Sequence, residues 1–208
     1  MDLSKDTLST EEDIRYATDV LRQGGVILYP TDTVWGLGCD VNNEEAIKRI
    51  YNIKHRDRRN AMLVLIDSYT TLNKYVINVP DIVHAWICEN NSMFLDRLGI
   101  SSNRPITIIY PMVHNVSPLL LGGDESLGIR ITKERFSNQL CKLFGAAIVS
   151  TSANKSGCPT PKNYTEINPS IIDSVDYVCR YRRDESIETQ SSSIVKLIDD
   201  NSFEIIRK

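Results

Sequence analysis

Two polar segments lie far apart in this chain, and each contains residue types that bind polar ligands. Thr31–Asp40 holds two threonines and two glycines and follows the apolar run Val26–Tyr29. Ser150–Gly157 places hydroxyl and amide side chains after a second apolar run. Hydroxyl and amide groups donate and accept hydrogen bonds, so the two segments together could form the walls of a nucleotide site. Taken singly, each is explained as well by a tight connection or by an ordinary Ser or Asx turn.

The cations Lys54, Arg56 and Arg130 are the candidates for anion binding. Lys54 and Arg56 leave a predicted helix at alternate positions, from which both could reach phosphate or carboxylate oxygens. The helix macrodipole alone favours a cation at a C-terminus by roughly 0.3–1 kcal/mol, which accounts for Lys54 better than for Arg56. Arg130 lies in the apolar run Leu127–Ile131, where an unpaired charge is costly, so we expect it to face a partner or an anion.

A second basic cluster consists of Arg180, Arg182 and Arg183. The chain as a whole carries a formal net charge of −3. Local basic clusters in an acidic chain favour a small anion in a pocket over a long nucleic-acid track. For this second cluster a solvated loop is the favoured interpretation, and an anion site is the alternative.

Composition and the remaining motifs exclude several classes of protein. The five cysteines form no Cys-x-x-Cys pair, which argues against a zinc site or a disulfide framework and for reduced thiols. The sequence shows neither a membrane-spanning apolar stretch nor a signal core, so we expect a cytoplasmic protein without membrane contact. Its three histidines lack metal-ligand spacing, and no Gly-x-Ser-x-Gly, Walker or dinucleotide fingerprint occurs. We therefore expect no metal held by the protein itself.

The elements that position these residues follow from periodicity and capping. With 208 residues, 41% hydrophobic and 25% charged, one domain over residues 1–208 is expected. Helices are predicted at 9–23, from Asn42 or Asn43 to Lys54, at 80–89 and at 133–144. Strands are predicted at 26–29, 62–66, 106–110, 127–131, 146–150, 177–179, 194–198 and 203–206. Because helices and strands alternate and several strands are apolar on both faces, the predicted fold class is α/β, a mixed sheet with covering helices.

The motifs in this order resemble those of a known family. Residues 24–38 resemble the opening of the YrdC-type L-threonylcarbamoyladenylate synthases in their single-domain form. The later matching motifs are Lys54-x-Arg56, Gly128-Ile129-Arg130, Ser152-Ala153-Asn154-x-Ser156-Gly157 and Ser192-Ser193-Ile194-Val195. The resemblance spans essentially the whole chain, and it implies a twisted mixed sheet with covering helices and a concave cationic cavity.

The resemblance also implies an activity and a set of site residues. Members of this family join ATP, L-threonine and bicarbonate into L-threonylcarbamoyladenylate and pyrophosphate, with Mg²⁺ accompanying the ATP. Downstream proteins then pass the threonylcarbamoyl group to the tRNA adenosine beside the anticodon, so any contact of the synthase with tRNA would be indirect. By position, the implied residues are Lys54 and Arg56 for catalysis, Thr31, Thr33, Arg130, Ser152 and Ser192 on the threonine side, and Asn60, Ser126, Asn154, Lys162 and Arg207 for ATP.

Several positions depart from the usual pattern of that family, and two other functions stay open. Trp35 replaces a Tyr, His55 and Ala61 stand where Gly and Pro are common, Leu65 stands where some members carry a threonine-binding His, and the loop at Asn103 differs. One alternative is a nucleotide-binding regulatory paralogue without turnover, although a close paralogue group lacks the Lys-x-Arg and Ser-x-Asn motifs that are kept here. The other is a non-catalytic RNA-binding module, which predicts salt-sensitive RNA affinity without dependence on threonine.

Overall fold

The fold is built around one mixed β-sheet. The computed structural model describes residues 8–88, 99–100, 104–186, 190–200 and 202–208. Within these ranges the strands are β1 (Ile27–Tyr29), β2 (Gly36–Gly38), β3 (Leu63–Ile66), β4 (Ile106–Tyr110), β5 (Leu127–Ile131), β6 (Ile148–Ser152), β7 (Tyr177–Val178), β8 (Ser193–Leu197) and β9 (Phe203–Arg207). Hydrogen bonds pair them in the order β7-β1-β2-β6-β3-β5-β4-β8-β9. The pairs β1–β7, β3–β5 and β4–β8 are parallel and the others are antiparallel.

Helices flank the sheet, and local capping accounts for several of their ends. Those of the described residues are α1 (Thr10–Arg22), α2 (Glu44–Lys54), α3 (Tyr69–Leu72), α4 (Asp81–Cys88), α5 (Arg135–Phe144) and α6 (Pro169–Ile172). Short 3₁₀ turns lie at Pro118–Leu120 and Tyr164–Glu166. Ser9 and Glu12 form a capping box at the start of α1, and Asn43 caps α2. Gly145 ends α5 in the left-handed conformation that glycine adopts without steric cost.

The two faces of the sheet are covered differently. On one face, Val64, Ile129 and Val149 belong to a large core that also includes apolar residues of α2 and α4. On the other face, Leu65 and Ile148 pack in a second core with residues of α1 and α5. The rest of that second face carries a cleft. Because successive side chains of a strand point to opposite faces, the central strands supply one set of residues to the core and the alternate set to the cleft.

Most predicted elements are confirmed, and the α/β class with a mixed sheet and covering helices is correct. β4 and β5 have the predicted bounds, whereas β6 runs from Ile148 to Ser152 instead of over 146–150. The glycine-rich segment Gly36–Gly38, which lies outside the predicted strands, pairs with β1 and β6 as strand β2. The helix predicted at 80–89 is observed at Asp81–Cys88, and residues 89 and 103 lie outside the described residues.

Two further sequence predictions concern membrane contact and the extent of the domain. No helix in the described part of the chain is both long enough and apolar enough to cross a bilayer. The extent of a single domain over residues 1–208 stays a prediction.

Candidate active site

A cleft opens on the sheet face that also packs against α1 and α5. Its volume is about 1060 Å³ with the open mouth included. The floor is apolar and comes from alternate residues of neighbouring strands, among them Leu63, Gly128 and Ile194. Hydroxyl and guanidinium groups surround this floor and belong to Thr31, Thr33, Thr107, Ser126, Ser150, Thr151, Ser152, Thr160, Ser191, Ser192, Arg56, Arg130 and Arg207. An apolar floor with convergent donors suits a ligand that combines a flat base with anionic groups.

The turn between β1 and β2 orients Arg130 through a chain of hydrogen bonds. Thr31 Oγ1 donates to the Val34 carbonyl oxygen at 2.8 Å and accepts from the Thr33 amide at 3.1 Å. Thr33 Oγ1 lies 3.0 Å from Thr31 Oγ1 and accepts from Arg130 Nη2 at 3.1 Å. Since the Thr31 hydroxyl hydrogen is directed to Val34, Thr33 donates to Thr31 and accepts from the guanidinium. The predicted residues Thr31, Thr33 and Arg130 are thus brought together in one network.

Asp32 is the buried counter-charge of Arg130. Arg130 Nε lies 3.1 Å from Asp32 Oδ1, and the two side chains are only 3% and 9% exposed. These two atoms do not meet hydrogen-bond geometry, so the contact is an ion pair rather than an aligned hydrogen bond. Burial raises the pKa of the Asp32 carboxyl, and the positive charge of Arg130 opposes that rise. The expectation that Arg130 faces a partner is confirmed, although the sequence did not indicate Asp32.

Arg56 borders the cleft and is held by main-chain carbonyl oxygens. Its Nε donates to the Asn60 carbonyl at 3.1 Å, and its Nη2 donates to the Ala61 carbonyl at 2.9 Å. Ala61 lines the cleft beside Arg56, whereas Asn60 is exposed and is not among the described lining residues. The main-chain carbonyl of Asn60 thus helps to fix Arg56, and the ATP contact at Asn60 stays a prediction.

Arg207 and Ser192 form the opposite border of the cleft. Arg207 Nε donates to the Ser192 carbonyl at 2.9 Å, and the Ser192 hydroxyl lies 2.8 Å from Thr107 Oγ1. Burial lowers the pKa of Arg207, and the positive charges of Arg104 and Arg130 lower it further. Cations held close enough to disfavour one another's charge are typical of a site that binds an anion.

Ser126 lines the cleft with a hydroxyl group whose hydrogen is already used. Its Oγ donates to Asp124 Oδ1 at 2.5 Å, and the other oxygen of Asp124 lies 2.5 Å from Lys196 Nζ. The bonds from Lys196 and Ser126 lower the pKa of the Asp124 carboxyl, which therefore stays ionised as an acceptor. Toward a ligand, Ser126 can consequently offer acceptor lone pairs.

Lys54 lies beneath the second polar segment and is not among the described residues that line the cleft. Its side chain is 1% exposed, and its Nζ donates to the carbonyl oxygens of Ser152 and Asn154, the latter at 2.7 Å. The carbonyl oxygen of Lys54 itself accepts from the Ser156 amide at 2.7 Å. Burial lowers the pKa of Lys54 to about 8, and the charge of Arg56 contributes. Lys54 thus clamps the turn that follows β6.

Comparisons with known proteins identify the family. The Sua5/YciO/YrdC family model, described as telomere recombination, matches residues 19–208. The chain belongs to this family. A Nitrosococcus oceani protein named threonylcarbamoyl-AMP synthase is 32% identical over 165 residues, which cover 79% of this chain and 83% of the relative. A Pseudoalteromonas translucida protein of the same name is 34% identical over 173 residues, which cover 82% and 86%.

The fold of the Sua5/YciO/YrdC family is also found in a solved structure that resembles this chain. The P. abyssi Sua5 crystal structure in complex with L-threonine matches with a TM-score of 0.73 at 24% identity. The match covers 93% of this chain and 53% of that Sua5 chain, so this chain spans about half the length of the P. abyssi protein. At this identity the likeness supports the fold, and the predicted resemblance to the family is confirmed by the sequence relatives.

The Ser152-x-Asn154 motif, one of those that resemble the Sua5/YciO/YrdC family, lies only partly in the cleft. Ser152 lines it, and its Oγ donates to Asn154 Oδ1 at 2.5 Å. Asn154 Nδ2 donates to the Cys158 carbonyl at 2.7 Å, so this side chain orders its own loop and is not among the described lining residues. Lys162 is exposed and borders a second, smaller cavity together with Arg182.

Two departures from the Sua5/YciO/YrdC family pattern have a structural explanation. His55 ends α2 with φ 48° and ψ 42°, the left-handed region in which glycine carries no steric cost. Leu65 is fully buried in the core with α1 and α5, so no polar group from this position reaches the cleft.

The structure also adds site residues that were not predicted from the sequence, namely Asp32, Thr107 and Asp124. The sequence does single out Thr107, because it is the one aliphatic hydroxyl in the otherwise apolar and aromatic strand β4.

Proposed function

We propose that this chain is an L-threonylcarbamoyladenylate synthase, which joins ATP, L-threonine and bicarbonate into L-threonylcarbamoyladenylate and pyrophosphate. The observation that carries the proposal is the convergence of Arg56, Arg130 and Arg207 on one cleft with an apolar floor. The relatives named threonylcarbamoyl-AMP synthase support it, as does the L-threonine complex of the structurally similar P. abyssi protein. A single anion would not need three guanidinium groups, whereas a triphosphate beside an amino-acid carboxylate would.

The reaction needs no covalent nucleophile from the protein. The threonine amine forms a C–N bond with bicarbonate and water leaves, which gives a carbamate. A carbamate oxygen then forms a bond to the α-phosphorus of ATP while the bond from that phosphorus to pyrophosphate breaks. Both steps bring anions together, so the contribution of the enzyme is proximity and electrostatic stabilisation.

The geometry suggests a division of labour among the cleft residues. Arg130, oriented by Thr33, would bind the threonine carboxylate, with Ser192 nearby. Arg56 and Arg207 would bind phosphate oxygens, since both present guanidinium groups that main-chain carbonyls hold in place. Lys54 would act through the turn at Ser152 and Asn154, whose carbonyls it holds, and the catalytic contact expected from the sequence stays a prediction.

Mg²⁺ would enter as part of the ATP substrate. Among the residues described, no group of three or more His, Cys, Asp or Glu side chains could hold a metal ion, and the cleft lining has no carboxylate. Mg²⁺ usually keeps several waters and is bound through substrate phosphates together with one or two carboxylates. Since the described lining of the cleft supplies no carboxylate, the phosphates and water would hold the ion here. The ion would reduce phosphate charge, and the arginines would position the phosphates.

The product points to a place in tRNA modification. Downstream proteins would accept the mixed anhydride and pass the threonylcarbamoyl group to the tRNA adenosine beside the anticodon, with only indirect contact between this chain and tRNA. Bicarbonate use, these partner proteins and a cytoplasmic location stay predictions.

The decisive experiment is pyrophosphate release from ATP and Mg²⁺, with threonine and bicarbonate each omitted in turn. We expect release only when both are present, and Arg56→Gln should lower kcat/KM by about 100-fold because a preorganised donor to the developing charge is lost. The exposed neighbour Arg58→Gln is the matched control and should stay near wild type. ATP binding without release would favour the regulatory paralogue, and salt-sensitive RNA binding without any ATP use would favour the RNA-binding module.

A further inference from the structure

One arginine of the second basic cluster reaches the first polar segment. Arg182 Nη1 donates to the Thr31 carbonyl oxygen at 3.1 Å, while its Nε donates to Glu185 Oε2 at 2.6 Å. The side chain is 18% exposed. The Arg182 guanidinium therefore links Glu185, in its own turn, to the main chain of Thr31 in the turn between β1 and β2. The interpretation of this cluster as a solvated loop does not hold for Arg182.

The turn that carries Arg182 is anchored to helix α1. Asp13, 1% exposed, accepts hydrogen bonds from the amides of Arg180 and Tyr181, each at 2.8 Å, and from the Tyr177 hydroxyl at 2.7 Å. Arg182 itself has φ 64°, a left-handed conformation that is unfavourable for a residue with a Cβ. Such a conformation persists where the surrounding structure determines it, and strained residues of this kind cluster at functional sites.

A second contact from the same turn reaches the other end of the Thr31–Trp35 segment. The Arg183 guanidinium lies over the Tyr164 ring at 5.2 Å, and the Tyr164 ring lies 5.1 Å from that of Trp35. Cation–π and aromatic contacts of this kind stabilise the side chains that they join. The turn that carries Arg182 therefore contacts the Thr31 end of this segment directly and its Trp35 end through Tyr164.

We propose that Arg182 is a positioning residue for the amino-acid substrate, an inference that rests on the proposed function. Arg182 holds the Thr31 carbonyl, the Thr31 hydroxyl is bonded to Thr33, and Thr33 orients Arg130. Loss of this brace frees the turn, so the Arg130 guanidinium no longer has one orientation toward a threonine carboxylate. The other two arginines of the cleft keep their main-chain partners, so binding of ATP is preserved.

The test is steady-state pyrophosphate release by Arg182→Gln and Arg182→Lys, with the concentrations of threonine and ATP varied separately. Arg182→Gln should raise KM for threonine by about tenfold, as for the loss of one charge-assisted hydrogen bond, and should change KM for ATP by less than about twofold. Arg182→Lys keeps the charge but lacks the fork needed to join Glu185 and Thr31 together, so it should restore part of the loss. In parallel, hydrogen exchange of the Thr33 amide should accelerate in Arg182→Gln.

Arg180→Gln is the control, because it removes the same charge from the same turn. It keeps the hydrogen bond from the main-chain amide of residue 180 to Asp13, so it should leave the KM values for threonine and ATP near wild type. A rise in KM for ATP alone would overturn the proposal, because Arg182 would then contact the nucleotide. Equal effects of Arg180→Gln and Arg182→Gln would also overturn it, since they would indicate a general effect of charge. Unchanged Thr33 exchange in an active enzyme refutes the brace, whereas absence of threonine-dependent release by the wild type refutes the proposed function.

Discussion

Arg130 and Asp32 meet beneath the cleft as an ion pair from which water is largely excluded. The pKa of Asp32 is raised, so the cost of burying the carboxylate exceeds the benefit of the neighbouring charge. The pair is therefore better understood as a device that orients Arg130 than as a source of stability. The apolar context of Arg130 predicted a partner, but an acid almost a hundred residues away in the chain could be identified only from the folded structure.

Removing one member of this pair should cost more stability than removing both. Arg130→Met leaves a buried, uncompensated carboxylate at Asp32, and we expect the free energy of unfolding to fall by about 3–5 kcal/mol. The double variant Asp32→Asn with Arg130→Met should recover much of that loss while remaining inactive. Urea unfolding of both variants measures the difference, and equal losses in the two would contradict the account. Because the folded pKa of Asp32 lies above its unfolded value, the single variant should regain stability as the pH falls toward the acid range.

Lys54 makes the free energy of unfolding depend on pH in the direction opposite to Asp32. Its pKa falls from 10.5 to about 8 in the folded state, so the unfolded chain binds this proton more tightly. The contribution of Lys54 to the free energy of unfolding should consequently increase from pH about 8 to 10.5, by at most about 1.4 kcal/mol per pH unit.

Urea unfolding of the wild type and of Lys54→Met at several pH values measures the pH-dependent contribution of Lys54 to the free energy of unfolding. At neutral pH the variant should also lose about 1–3 kcal/mol, because the carbonyls of Ser152 and Asn154 lose their donor. Lys142→Met, exposed on α5, is the control, and an identical pH dependence of all three proteins would refute the assignment.

At the scale of elements, strand β2 is the clearest difference between sequence and structure. Gly36 and Gly38 have low β-propensity, and they lie outside the strands predicted from the sequence. Neither has a positive φ. A Cβ at Gly36 would make only tight contacts, whereas one at Gly38 would clash with its neighbours. A Cβ at Gly38 would lie 2.6 Å from Tyr29 Cε1 and 3.0 Å from the Val149 carbonyl oxygen. Tertiary packing against β1 and β6 thus outweighs propensity.

Gly38→Ala should therefore destabilise the protein by overpacking. The expected cost is about 1–3 kcal/mol, because the clash involves a fully buried ring and a main-chain atom that cannot move independently. Gly123→Ala is the matched control, since a Cβ there meets nothing within 4 Å. Thermal unfolding of the two variants provides the comparison. A similar melting temperature for both would mean that β2 tolerates a side chain and that its glycines serve another purpose.

For the whole molecule, the sequence predicted the elements better than their arrangement. Hydrophobic runs and caps located most strands and helices, because these signals are local. Strand order and register come from pairings over long separations, so neither the position of β6 between β2 and β3 nor the shared face of the cleft could be read from the chain. The same limit applies to the site. Arg56, Arg130 and Ser192 line the cleft as predicted, whereas Lys54 and Asn154 turn inward to the backbone, which motif spacing cannot reveal.

The main-chain bonds of Arg56 and Arg207 have a consequence for the thermodynamics of binding. An arginine side chain carries about 2 kcal/mol of rotamer entropy, most of which is usually lost when an anion is bound. Here the carbonyls of Asn60, Ala61 and Ser192 already restrict these side chains in the protein itself. Much of the side-chain entropy of Arg56 and Arg207 is therefore already lost on folding. A polyanion would bind two guanidinium groups that are ordered before it arrives. Its affinity would then depend mainly on how well its charges match their positions.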